Sequence, residues 1–300
     1  VGVMQAVEML LQAMAVVLFA PLVQGFIQWC KSCLQNRRGP GPLQPYRNLY
    51  KLLAKDLVIA ATASWVTRIT PFVCFGAAFA VAALLPLTST GSGIADLFLI
   101  VYLFGLSRFL MALAGLDAGN SFGGMGSSRE MYLAVLVEPA FLLAIVASAG
   151  AAGTTGLGKM VEQVSLHSFT LPYVLAAVAF FIVVIAECGR IPVDNPDTHL
   201  ELTMFQEALL IEYSGRHLAL LLWAVYVRQL AMMVLFVELF FPWNWLDLIP
   251  ASSIWVLFKI FLVGLLLAIT ETSSAKMRLF RLPNFLAASG LLSLLALVAR

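Results

Sequence analysis

The chain has 300 residues, of which 61% are hydrophobic and only 11% charged, with a mean hydropathy of +0.95. A soluble chain is about 45–50% apolar and about 25% charged, so a water-soluble globular domain is excluded. The formal net charge of +2 comes from basic residues gathered in a few short loops rather than in a stripe, which carries no nucleic-acid signature.

Apolar runs long enough to cross a bilayer occur in chain order at Val3–Trp29, Ile69–Leu87, Ala95–Gly115, Met131–Gly150, Leu171–Glu187, Leu218–Phe241, Ser253–Thr270 and Asn284–Ala299. Backbone polar groups in hydrocarbon must be satisfied within their own segment, so these runs predict an all-α protein with eight transmembrane helices. They form a single integral membrane domain over residues 1–300. Glu8 stands where a signal peptide has its basic region, so the first run is expected to be a span and not a cleaved leader. Thirteen of the eighteen basic residues fall in loops on one side and two on the other. That asymmetry puts the basic loops in the cytoplasm and both termini outside, in the cell's inner membrane.

Four cysteines, Cys30, Cys33, Cys74 and Cys188, do not make a disulfide framework. The CxxC of Cys30 and Cys33 supplies two ligands where a zinc or iron–sulfur site needs four, so no metal site and no redox centre is expected in this chain. After the first span comes Asn36-Arg37-Arg38-Gly39-Pro40-Gly41-Pro42-Leu43-Gln44-Pro45, too rich in proline and glycine for regular helix. From Tyr46 to Ala60, Leu49, Leu52, Leu53 and Leu57 alternate with Arg47, Lys51 and Lys55, which suits an amphipathic helix lying at the interface. By composition alone this loop better suits a polybasic contact with anionic headgroups. Further on, Gly115 to Glu130 holds five glycines in twelve residues beside Asp117 and Arg129. No GK[ST] ends that run, so a turn or a close-approach surface, docking a soluble partner, is expected.

Charges inside spans are costly and call for partners, about 2.5–3.5 kcal/mol each at a helix centre. Counting depth from the loop ends pairs Arg108 in span three with Glu138 in span four, as a structural pair or a shared wet pocket. The same count sets Glu238 beside Lys259 and leaves Arg228 without an acid. After span five, Pro192 and Pro196 break the helix, and Glu187, Asp194, Asp197, Glu201, Glu207 and Glu212 crowd one stretch against Arg190 and Arg216. If the later part is helical, Glu201 and Glu212 lie three turns apart on one face. Acids so placed raise one another's pKa and suit a proton station; a solvated acidic loop has the same composition.

These segments resemble one family, the membrane subunit shared by respiratory complex I (NADH–quinone oxidoreductase, where it is subunit 1) and membrane-bound nickel–iron hydrogenases (formate hydrogenlyase subunit 4, hydrogenase-4 component C). The likeness rests on Arg38 to Gly41, Leu43 to Pro45, Lys51 and Lys55 in the first loop, and on Arg129 placed nine residues before Glu138. It also rests on Glu187, Arg190, Pro192 and Asp194 as Glu-x-x-Arg-x-Pro-x-Asp, and on Glu201-Leu202 and Glu212-Tyr213. Gly115 to Glu130, Val137 to Pro139 and Thr198 to Thr203 are more similar to the hydrogenase branch, and Asn48 stands where both branches usually have Asp.

The resemblance implies an anchor and coupling subunit of a multisubunit oxidoreductase. It would dock the hydrogenase large and small subunits through Arg37, Arg38, Gly39, Pro40, Gln44, Asp117 and Arg129. The iron–sulfur clusters and the nickel–iron centre would lie in those partners, with no cofactor bound by this chain alone. An acidic funnel of Glu187, Asp194, Asp197, Glu201, Glu207 and Glu212, with Glu138 as intramembrane relay and Arg108, Arg190, Arg228 and Lys259 as charge partners, would lead to antiporter-like subunits that move protons or sodium. The alternative within the family is the equivalent subunit of a quinone-reducing complex I-type oxidoreductase, with a quinone beneath the first loop; outside it, a stand-alone ion or solute transporter.

Overall fold

The structure is a computed structural model that describes residues 2–60, 62–87, 96–164, 170–194, 206–241 and 252–299. All regular structure among them is helical: α1 (Gly2–Leu34), α2 (Gln44–Leu53), α3 (Trp65–Leu84), α4 (Leu97–Asp117), α5 (Ser121–Ala152), α6 (Leu157–Val164), α7 (Leu171–Glu187), α8 (Gln206–Leu210), α9 (Gly215–Phe240), α10 (Ser252–Ser273) and α11 (Leu282–Val298). Seven of these, α1, α3, α4, α5, α9, α10 and α11, are long and apolar enough to cross a membrane. The remaining expected span, α7, has 17 residues, at the lower end of the spanning range of about 17–25.

Polar side chains set the helix starts. Ser64, Asp96 and Asn120 cap α3, α4 and α5 by accepting the backbone N–H two residues on. At its other end α5 stops at Gly153, whose φ of +67° is the left-handed conformation that glycine takes without strain. The amphipathic helix is shorter than the pattern from Tyr46 to Ala60 predicts. It begins at Gln44, with Pro45 in its first turn where the missing N–H costs nothing, and ends at Leu53. Leu49 is buried beneath it, while Tyr50 and Lys51 are exposed.

One end of the bundle, here the loop face, gathers the first loop and the segments after α7 and α10. Ser214 exchanges hydrogen bonds with the backbone of Val58, and Met277 N–H donates to Pro192 O. Gly215 takes a φ of +50°, where a Cβ would stand 2.6 Å from Asp56 O. α9 is the most enclosed of the long helices.

Toward the opposite end its Leu230 to Phe240 stretch is buried, and Phe180, Phe236 and Phe240 stack into an aromatic plug with Tyr173. Among the described residues this half of the bundle is largely apolar inside, with Glu238 and Gln12 buried in it, and the other half is more polar.

The glycine-rich run corrects the sequence reading. Its larger part is helix and not a turn, α5 starts ten residues before the expected span, and the expected close approach of another backbone is present. A Cβ on Gly115 would lie 2.5 Å from Leu209 Cδ2 and from Ser127 Oγ, and one on Gly126 would lie 2.8 Å from Ala208 Cβ. The backbone that approaches this closely is the chain's own, and the glycines let α4, α5 and α8 meet.

Candidate functional site

A cavity of about 200 Å³ opens among α1, α3, α4, α5, α8, α9 and the residues after α7. Its wall is mostly apolar, with Phe104, Met111, Leu221 and Val225, but three guanidiniums enter it, those of Arg108, Arg190 and Arg228.

Arg108, in the span α4 and 3% exposed, is the centre of the first cluster. Its Nη2 donates to Glu187 Oε2 at 2.6 Å, its Nε lies 3.2 Å from Glu130 Oε1 and its Nη1 lies 3.7 Å from Glu138 Oε1. The expected pairing with Glu138 is present, and it is the longest of the three. Glu130 and Glu187 are buried, whereas the Glu138 side chain is 45% exposed on the outside of the chain. Three carboxylates on one arginine cannot all be neutralised by it. One buried guanidinium thus ties an acid at the end of α7 to an acid at the bundle's own surface.

Arg190 builds the second cluster differently. Its Nη1 donates to Glu271 Oε1 at 3.1 Å, and its Nη2 donates to the amide oxygens of Gln24 and of Gln229, the latter at 2.6 Å. The other oxygen of Glu271 lies 3.3 Å from Lys31 Nζ. Two cations share one carboxylate, and α1, α9, α10 and the turn after α7 are clamped together. Beside it Asp194 accepts from Lys276 Nζ at 2.7 Å. Cys188 lies between the clusters, and burial pushes its thiol up to about 12, so it stays a neutral weak donor at physiological pH.

The other expected site residues divide. Glu207 lines the cavity. Glu212 accepts a hydrogen bond from Asn120 Nδ2 at 2.6 Å. α8 ends at Leu210, so the one-face relation of Glu212 to Glu201 does not hold on a continuous helix, because Glu212 sits in the turn that follows. Asp197 and Glu201 lie outside the described residues. Arg228 faces the cavity and, as the depth count indicated, has no ion pair within 4 Å among the described residues. Lys259 donates to Phe241 O at 2.7 Å and acts electrostatically on Glu238, in keeping with their shared depth.

On the loop face Arg37, Arg38, Gly39 and Pro40 are exposed, and Gln44 donates to Asn48 Oδ1. Arg129 is half-buried at the start of α5. Asp117 has a task within the chain. It accepts from Ser64 N–H, Thr67 N–H and Thr67 Oγ1, and so closes the start of α3. Its carboxylate is spent inside the chain, because four first-turn N–H groups of a helix need acceptors.

Glu130, Glu271, Lys31, Gln24 and Gln229 were missed in the sequence. Glu271 follows the apolar run of its span by one residue and reads as loop, while Gln24 and Gln229 sit in apolar runs as uncharged residues. The available signal was an amide inside a span, which is a polar group in need of a partner.

The sequence profile of the family described as NADH dehydrogenase matches residues 7–299. Formate hydrogenlyase subunit 4 of Escherichia coli K12 is 36% identical over 281 residues, covering 90% of both chains. Hydrogenase-4 component C of the same organism is 35% identical over 279 residues, covering 90% of this chain and 87% of its own. NADH-quinone oxidoreductase subunit 8 of Rhodothermus marinus is 30% identical over 246 residues, covering 78% of this chain and 70% of its own. A chain in the structure of the membrane-bound sulfane sulfur reductase, an archaeal respiratory membrane complex, has the same fold, with a TM-score of 0.83 at 21% identity over 96% of this chain and 99% of that one. With its apolar helices, its buried charge clusters and these matches, the chain belongs to the NADH dehydrogenase subunit 1 family and is a multi-pass membrane subunit of a complex I-like hydrogenase or respiratory complex.

Proposed function

We propose that this chain anchors the soluble redox arm of a complex I-like nickel–iron hydrogenase, of the formate hydrogenlyase type, in the inner membrane and couples its reaction to movement of protons or sodium ions. The observation that carries this reading is the Arg108 cluster. Glu187 and Glu130 lie inside the bundle, and the half-exposed Glu138 carries the line of carboxylates to the chain's surface within the span of α5. A carboxylate facing lipid is expensive, which favours a neighbouring membrane subunit of antiporter type as its cover. Acids sharing one guanidinium compete for a single positive charge, so a change of charge at the redox arm above the cavity acts on all of them together.

In this reading the exposed Arg37, Arg38, Gly39 and Pro40 receive the hydrogenase large and small subunits on the cytoplasmic side. Those partners hold the iron–sulfur clusters and the nickel–iron centre, where electrons are transferred. This chain's own part is to hold, orient and move protons among Glu130, Glu138 and Glu187. Asp197 and Glu201 are carried as members of the same acidic path by the resemblance alone.

The test uses the intact complex in closed vesicles. Glu187→Gln and Glu138→Gln are each expected to leave hydrogen turnover in detergent within about twofold of wild type, and to reduce the ion gradient formed per turnover at least tenfold. A gradient unchanged in both variants rejects the coupling role and leaves an anchor only.

A second reading, the equivalent membrane subunit of a quinone-reducing complex, is favoured by the NADH-quinone oxidoreductase relatives and by the apolar cavity wall. Against it, about 200 Å³ is less than the usual 300–1,000 Å³ of small-molecule pockets. Quinone reduction against hydrogen evolution by the purified complex separates the two.

A further inference from the structure

The cavity contains one cation that makes no direct ion pair within 4 Å among the described residues. Arg108 is met by three carboxylates and Arg190 by Glu271. Arg228, on the neighbouring wall of α9, makes no hydrogen bond or ion pair among the described residues, although it is close enough to Glu130 to act on it electrostatically. Arg228 is half-buried, and a guanidinium always carries its proton, so it cannot escape the cost of this partial desolvation by becoming neutral.

The adjacent residue gives an independent observation. Gln229 is 4% exposed and lines the same cavity. Its amide oxygen accepts from Arg190 Nη2, which fixes which way the amide points and turns Nε2 away from that contact. That Nε2 has no hydrogen-bond partner among the described residues. A buried donor without an acceptor is rare in native structures and marks the place of an absent group.

Two donors, one charged and one neutral, therefore face a mostly apolar space of about 200 Å³. At about 30 Å³ per water, that space holds a few-atom ligand with a small number of waters. The group that satisfies a free guanidinium fork and an amide N–H together is an oxygen-rich anion of small size, because planar carboxylates match the guanidinium geometry in two parallel hydrogen bonds.

We propose that this cavity is a binding site for a small oxyanion of carboxylate size, held by Arg228 and Gln229. The anion neutralises Arg228 and occupies the space between the Arg108 and Arg190 clusters. The site is independent of whether the complex couples its reaction to ion movement.

The experiment is equilibrium dialysis of radiolabelled acetate against the purified, fully assembled complex. Acetamide, which has nearly the same shape without the charge, serves as competitor. The wild-type complex is expected to bind one equivalent of acetate more than the Arg228→Gln complex, and acetamide is expected to displace none of it. Equal binding by the two complexes means that a protein carboxylate meets Arg228, and it overturns the proposal. Displacement by acetamide at matched concentration also overturns it, since the site then reads a neutral carbonyl. Where Arg228→Gln does not assemble, Arg228→Lys, which keeps the charge but loses the two-pronged geometry, is titrated in its place. About tenfold weaker binding of that equivalent is expected, and unchanged affinity overturns the assignment.

Discussion

The Arg108 and Arg190 clusters share one cavity and one kind of cation, yet their charge ratios are inverted. Around Arg108 three carboxylates compete for a single guanidinium; around Glu271 two cations compete for a single carboxylate, and neutral Gln24 and Gln229 complete the shell. An excess of acids can be relieved by taking up a proton. An excess of cations headed by an arginine has no such outlet, and it must be held by packing and hydrogen bonds. The first arrangement suits a station whose protonation changes, and the second suits a fixed clamp across α1, α9 and α10.

The contrast breaks most sharply at Glu271. Glu271→Gln removes the carboxylate that meets both Arg190 and Lys31, and leaves the buried Arg190 guanidinium without its ion pair. Breaking one partner of a buried pair costs about 3–5 kcal/mol, so the complex is expected to lose assembly or to melt far below wild type in a thermal scan. A melting point within a few degrees of wild type would reject the clamp. Next in size, Gly126→Val pushes a branched side chain against Ala208, which lies 2.8 Å from where the Cβ would be. Overpacking of this kind costs about 1–3 kcal/mol. Because α8 holds Glu207 at the cavity wall, denaturant unfolding and ion coupling are both expected to suffer.

Glu130→Gln sharpens the contrast from the other side. Arg108 keeps Glu187 and Glu138, no charge is orphaned, and the change in stability is expected to be about 1 kcal/mol or less by the same thermal scan. A loss as large as that of Glu271→Gln would show that the first cluster is also a clamp. Smallest of all is the response of Cys188. With its thiol pushed up to about 12, roughly one molecule in ten thousand is thiolate at pH 8. Iodoacetamide is therefore expected to label the exposed Cys33 and to leave Cys188 unmodified, read by peptide mass after digestion.

The spans were legible because twenty-residue apolar runs have one physical solution in hydrocarbon, and their limits differ from the helices by a few residues at most positions. The start of α5 is the exception. Its first turns are glycine and serine rather than apolar, and local composition there favours a loop, yet packing against Gly115 and Ala208 makes it helix. The Arg108–Glu138 contact was legible from depth counting, since antiparallel neighbours at equal distance from their loop must come level. Partner choice was not. Nothing local distinguishes Glu187, the nearest acid to Arg108, as a partner of that residue and not of Arg190, which lies three residues on in the chain.

By itself the sequence determined that this is a helical membrane protein, and where its few charges stand along the chain. Those follow from composition and spacing, which solvent reads without any fold. Only the tertiary structure decided which acid meets which base, that Glu130 and Glu271 are buried among them, and that Asp117 closes a helix. Ion pairing inside a membrane depends on distances of a few ångströms between side chains 79 or 81 residues apart in the chain, and helix packing sets those distances.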